Sequence, residues 1–217
     1  MKIQGVIFDM DGTMFDTERI SCLGWEAADR EFGLHTPRSF MLSCMGLPSE
    51  AIRQKVLDRL GADFDYTRFR ERKIAHMVAY TEEHGIPLKP GLEEILAEIK
   101  KNGQKCAVAT STSRERAMYH IEKSGLLPYF SVILCGDQIV HGKPHPDIYL
   151  RAAALLGVSP ADCMALEDSK NGILSAHRAG MFAVLIPDMI EPDAEMRAAA
   201  DVVLPSLAEA IPYLAQE

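Results

Sequence analysis

Several absences narrow the possibilities before any motif is read. No apolar run approaches the roughly 20 residues that a membrane-spanning helix needs, so no membrane partner is expected. No block of lysine and arginine occurs in the 217 residues, and the formal net charge is −8. Binding to nucleic acid by counterion release needs a concentrated basic surface, so nucleic acid is not an expected partner either. The five cysteines, Cys22, Cys44, Cys106, Cys135 and Cys163, include no CxxC pair and stand at irregular gaps, which argues against a disulfide framework. Several lie in apolar segments such as CAVAT and VILCG, where reduced cysteines pack as small hydrophobes; this fits a cytoplasmic protein. No cluster of His or Cys offers itself to zinc, and no repeat or low-complexity segment is present. The opening MKIQGVIFDMDG runs from a short apolar stretch straight into two aspartates, so it reads as a buried strand and not as a targeting peptide.

What is present is an ordinary soluble composition, with 47% hydrophobic and 25% charged residues. Short continuous apolar runs fall at residues 2–9, 105–111, 131–136, 162–168 and 181–186, with a weaker one at 201–205. Continuous rather than alternating runs indicate strands covered on both faces, as in a parallel sheet. Helix-like crossovers fit residues 113–124, 146–156 and 169–179, with Gly125, Gly157 and Gly180 placed as C-terminal caps. The predicted fold is therefore α/β, a doubly wound parallel sheet. About 95 residues separate the first strand from the second, more than one crossover needs. Residues 17–32, 49–60 and 66–84 have helical apolar spacing, which predicts a small helical domain over 16–87 inserted in a core of 1–15 and 88–217.

Ligands of such sheets bind beyond the carboxyl ends of the strands. There the first strand ends in Asp9-Met10-Asp11-Gly12-Thr13, and the fourth in Glu167-Asp168-Ser169. Four acids at adjacent strand ends repel unless a cation lies among them. Mg²⁺, which prefers hard oxygen ligands, is the natural occupant. Thr110-Ser111 ends the second strand at a helix start, a setting suited to a phosphoryl oxygen, and Lys143 follows the third strand in the proline-stiffened stretch GKPHPD. Each has a plain alternative: a turn residue for Asp11, a helix cap for Asp168 with Ser169 or for Thr110, a solvated loop lysine for Lys143. Their convergence on one sheet edge favours a phosphoryl-transfer site.

The motifs DMDGT, the Thr110 strand end, KPHPD and LEDS, in that order, resemble the haloacid dehalogenase superfamily over essentially the whole chain. The helical insertion resembles the cap of its phosphoglycolate phosphatase and β-phosphoglucomutase branch. That resemblance implies a Rossmann-like core, a cap that closes over the site, and a Mg²⁺-dependent phosphatase acting on a small-molecule phosphate ester. It implies Asp9 as nucleophile, Asp11 as general acid and base, and Thr110 and Lys143 as phosphate binders with Gly12 and Ser111. It further implies Mg²⁺ held by the Asp9 carboxylate, the Asp11 carbonyl and Asp168, with Glu167 assisting directly or through water.

Cap candidates for specificity are Glu18, Arg19, Arg72, Lys73 and His76, with a solvated helix face as the alternative; Trp25 and Met77 read as packing residues. Hinges are expected near 14–17 and 86–90, and a monomer is expected. Two competing readings are a sugar-phosphate mutase of the β-phosphoglucomutase type, and a non-catalytic phosphoacceptor or binding protein. In the mutase, a histidine stands where this chain has Ser21 and an arginine where it has Ser49, so both departures favour the phosphatase.

Overall fold

The computed structural model describes residues 2–47 and 49–215. The chain divides into two compact units, Met1–Asp16 with Ile86–Glu217, and Thr17–Gly85. In the second unit, α1 (Thr17–Phe32), α2 (Arg38–Leu42), α3 (Ser49–Leu60) and α4 (Tyr66–His84) surround an aromatic cluster. Trp25 meets Phe40 and Phe69 edge-on at 6.1 and 5.7 Å, and Phe32 and Phe64 close the group around Phe69. Asp29, buried in α1, is matched by the Thr36 amide at 2.6 Å and its hydroxyl at 3.0 Å, which fixes the chain as it leaves the helix. Trp25 is therefore a packing residue, as expected.

The first unit is built on six parallel strands among the described residues: β1 (Gly5–Phe8), β2 (Lys105–Ala109), β3 (Val132–Leu134), β4 (Cys163–Glu167), β5 (Phe182–Leu185) and β6 (Val202–Val203), in the order β3-β2-β1-β4-β5-β6. Alternate residues of β1 serve the two faces. Val6 and Phe8 join one core with Leu92, Ile95, Leu96 and Ile99 of α5 (Leu92–Lys101) and Ile121 of α6 (Arg114–Lys123). Ile7 joins the other, with α7 (Asp147–Leu156), α8 (Lys170–Arg178) and α9 (Ala194–Ala199). All five cysteines are free and buried, in keeping with their expected packing role.

The doubly wound parallel sheet matches the sequence reading, with shorter strands. Gln4 and Asp9, both expected within the first strand, bond backbone to backbone to Asp162 and Leu166 yet stand outside the regular ladder. Gly125, Gly157 and Gly180 do take left-handed φ values of 72, 65 and 72° at the ends of α6, α7 and α8. The helices α2, α5 and α9 have no counterpart in the sequence reading. Both α2 and α9 are too short to display a period, whereas the i, i+3, i+4, i+7 stripe of α5 lies between the predicted insertion and the second strand, a stretch to which the sequence reading assigns no helix.

The two connections between the units are bonded to each other within the first. Phe15 and Leu88 form an antiparallel bridge, Asp16 N donates to Pro87 O at 2.9 Å, and Lys89 N donates to Met14 O at 2.8 Å. Gly91 then opens α5 at φ 86°, and a Cβ there would strike the backbone of Ala208 in the 3₁₀ stretch Ala208–Ala215. Left-handed strain and that clash together predict that Gly91→Ala lowers stability by about 1–3 kcal/mol. Urea unfolding should show it as a lower midpoint with an unchanged slope.

Candidate active site

The strand order turns back between β1 and β4, since the chain proceeds outward through β2 and β3 and then crosses to the other side of β1. At such a switch point the loops diverge and leave a crevice. Register brings the acids there: Phe8 pairs with Val108 on one side and Leu166 on the other, so the next residues are Asp9, Ala109 and Glu167. Lys143 reaches into the same place from the loop before α7. Its Nζ donates to Asp9 Oδ1 at 2.6 Å, Glu167 Oε1 at 2.6 Å and Ala109 O at 2.9 Å, and its side chain is only 4% exposed. The solvated-loop alternative for Lys143 is thereby removed.

Both oxygens of the fully buried Glu167 are taken by protein donors. Tyr149 OH joins Lys143 on Oε1 at 2.7 Å, while Oε2 accepts from the amides of Asp168 and Ser169 and from Ser169 Oγ at 3.2, 3.3 and 3.1 Å. Lys143 also lies 5.0 Å from the centre of the Tyr149 ring, so one residue contributes both a hydrogen bond and a π face. Burial holds the Tyr149 phenol protonated far past its usual range, with the Glu167 charge adding to that effect.

Burial also pushes the Asp9 carboxyl well above the usual carboxylate range; Lys143 draws it down, and Glu167 and Asp11 push it up again. Burial disfavours the Lys143 charge, but the Asp9 and Glu167 carboxylates outweigh it, so this pKa is raised as well. One ammonium thus faces two carboxylates, leaving unbalanced negative charge in a nearly dry place.

Asp168 completes that picture from the start of α8. Oxygens of Asp9, Glu167 and Asp168 lie within 4.8 Å of one another, an all-oxygen set of the kind a hard divalent cation accepts. Gly12, at φ 87°, presses against the Asp168 carboxylate so closely that a Cβ would displace it. Thr13 Oγ1 donates to Asp168 Oδ1 at 3.3 Å from the same turn.

Thr112 Oγ1 donates to Asp11 Oδ2 at 2.6 Å, which brings the end of β2 to the DMDGT loop. Thr110 is buried, and its hydroxyl oxygen accepts from Thr112 N at 3.0 Å; the cap of α6 is Ser113, so Thr110 is not a helix cap. Ser111 is exposed beside it. Ser169 does cap α8, accepting from Gly172 N at 3.1 Å, which leaves Asp168 outside the capping role.

A family described as haloacid dehalogenase-like hydrolase matches residues 6–186. Among the relatives, fructose-1-phosphate phosphatase of Escherichia coli is 32% identical over 84% of this chain and 96% of that protein, and β-phosphoglucomutase of Bacillus subtilis is 30% identical over 95% of both. The crystal structure of CbbY from Rhodobacter sphaeroides in complex with phosphate is 30% identical, covers 96% of each chain and superposes with a TM-score of 0.78. The chain belongs to the haloacid dehalogenase-like hydrolases. With phosphatases recurring among its relatives, it is an enzyme of the phosphoric monoester hydrolase kind, as the resemblance implied.

In this haloacid dehalogenase-like chain, three cationic candidates of the helical unit, Arg72, Lys73 and His76, have partners within that unit. Arg72 makes a two-pronged pair with Glu31 at 2.6 and 2.7 Å, and His76 Nε2 lies 2.7 Å from the same carboxylate. These bonds, Arg72 first, hold the Glu31 pKa down to about 2. Lys73 stands 4.8 Å over the Trp25 ring. Glu18 and Arg19 occupy the first turn of α1, half-buried and exposed respectively.

The sequence reading singles out neither Tyr149 nor Thr112, and Ser169 only as a helix cap. A tyrosine on the inner stripe of α7, among Ile148, Ala152, Ala153 and Leu156, was the available signal, because a buried phenol needs a partner. Removing the central ammonium should be costly: Lys143→Met leaves two buried carboxylates without a counter-charge and is expected to lose about 3–5 kcal/mol in urea unfolding at neutral pH. A carboxyl whose folded pKa is raised regains stability on protonation, so the deficit should shrink as pH falls through the raised pKa of Asp9.

Proposed function

We propose that the chain is a cytoplasmic, monomeric, Mg²⁺-dependent phosphatase of small-molecule phosphate monoesters, sugar phosphates or related metabolites, acting through an aspartyl-phosphate on Asp9. One observation carries most of the weight: the buried Lys143 ammonium lies 2.6 Å from Asp9 Oδ1, while Asp168 stands within ligand range of the same carboxylate. The names of the relatives, fructose-1-phosphate phosphatase among them, support the substrate class.

Asp9 and Asp168, with the Asp11 carbonyl, would hold Mg²⁺, and bound Mg²⁺ supplies positive charge against the phosphoryl oxygens. Since both Glu167 oxygens have protein donors, we assign Glu167 to orienting Lys143 rather than to touching the ion. Asp9 attacks phosphorus as the bond to the leaving oxygen breaks, dividing one displacement into two. Asp11 gives its proton to that oxygen and then takes one from the water that cleaves the acyl phosphate. Thr112 holds the Asp11 carboxylate in the loop meanwhile. Lys143, the Thr110 hydroxyl and the amides of Gly12 and Ser111 receive the phosphoryl oxygens. The residues that choose the leaving group are proposed to lie in Thr17–Gly85, where Arg72 and Lys73 would first have to leave Glu31 and Trp25.

The mutase remains the second reading because of the β-phosphoglucomutase relative. Ser21 and Ser49 weigh against it. Turnover of p-nitrophenyl phosphate with Mg²⁺ tests the main proposal: Asp9→Asn is expected to lower it by at least about 10³-fold without loss of fold. Near-normal activity in that variant would refute the role of Asp9. Formation of glucose 6-phosphate from β-glucose 1-phosphate with glucose 1,6-bisphosphate, faster than phosphate release, would decide for the mutase.

A further inference from the structure

We infer that His141, His145 and Asp147 form a second metal site, distinct from the acidic cluster and suited to a borderline transition ion such as Zn²⁺, Co²⁺ or Ni²⁺. The expectation that no histidine cluster offers itself to zinc is corrected by the fold. Nδ1 of His141 lies 3.0 Å from Asp147 Oδ2 and Nδ1 of His145 lies 2.7 Å from Asp147 Oδ1, so the two imidazoles flank one carboxylate. The three ligand atoms fall within 4.8 Å of one another, and the two rings stand 4.8 Å apart.

Chemistry selects the ion. Two imidazoles with one carboxylate suit Zn²⁺ and its neighbours, whereas Mg²⁺ and Ca²⁺ call for oxygen alone. A tetrahedral zinc with bonds of about 2.0–2.2 Å separates its ligand atoms by about 3.3–3.5 Å. The present spacings are hydrogen-bonded ones and would widen by a few tenths of an ångström; both histidines are exposed, so their rings have room to turn. On binding, each Nδ1 gives its proton to Nε2 of the same ring through solvent, and a water completes the coordination.

The loop is already held elsewhere. Ser175 Oγ donates to His145 O at 2.6 Å and Arg178 Nη1 to Pro144 O at 2.9 Å, so the backbone between the ligands is anchored to α8. An ion there would tie the beginning of the loop to the first residue of α7 across Lys143. Occupancy would therefore stiffen the segment that presents the buried ammonium.

Zn²⁺ titrated into the Mg²⁺-saturated full-length protein, by calorimetry and by ¹⁵N imidazole resonances, tests this. The expected result is a single equivalent whose binding shifts the rings of His141 and His145. His141→Ala and His145→Ala should each weaken that event by at least about tenfold, and Asp147→Asn should weaken it measurably. Because these side chains lie on the surface, Mg²⁺-dependent turnover and the circular dichroism of the histidine variants should match wild type and so report intact folding. Unmoved rings on zinc addition, unchanged affinity in the double histidine variant, or equal shifts with Ca²⁺ would each overturn the assignment.

Discussion

A single ammonium, that of Lys143, is shared between Asp9 and Glu167 in a place almost closed to water. Removing either side of this arrangement would leave buried charge without a partner, which is strongly destabilising. Much of the surrounding architecture serves that arrangement. The register of β1 with β4 sets the two acids side by side, Ala109 O lends a carbonyl, and Tyr149 and Ser169 saturate the far acid. The near acid is left less completely satisfied and raised in pKa, and it is the group proposed above to attack phosphorus. On the proposed mechanism, stability is conceded at the carboxylate that reacts, a common arrangement in enzymes.

Sequence reasoning reached the strands and their order of chemistry because continuous apolar runs end in acids at DMDGT and LEDS, and such endings carry local information. The match of the helices Thr17–Phe32, Ser49–Leu60 and Tyr66–His84 to their expected limits has the same origin: each is long enough for its 3.6 period to be counted. What escaped notice depended on distance through space. The bond of Thr112 to Asp11 joins residues 101 apart, and Tyr149 meets Glu167 across 18. Arg72 and Lys73 looked available for a substrate because nothing nearby in sequence shows Glu31 and Trp25 beside them.

The loop of residues 141–147 shows how one short stretch serves several ends. Its central lysine points inward to carboxylates, its carbonyls are held by Ser175 and Arg178, and its histidines turn outward onto the acid that begins α7. Inner and outer faces are thus mechanically continuous through a few peptide units.

The mutual bonding of the two connecting strands near Phe15 and Leu88 has a wider meaning. Because the chain leaves the α/β unit and returns to it at neighbouring points already clamped together, the intervening 17–85 segment is topologically a decoration on a closed loop. The entropy of closing that loop grows only slowly with its length, so the sheet is indifferent to how large the insert becomes. A longer or shorter module between Asp16 and Ile86 would therefore cost the sheet and its charged centre little stability.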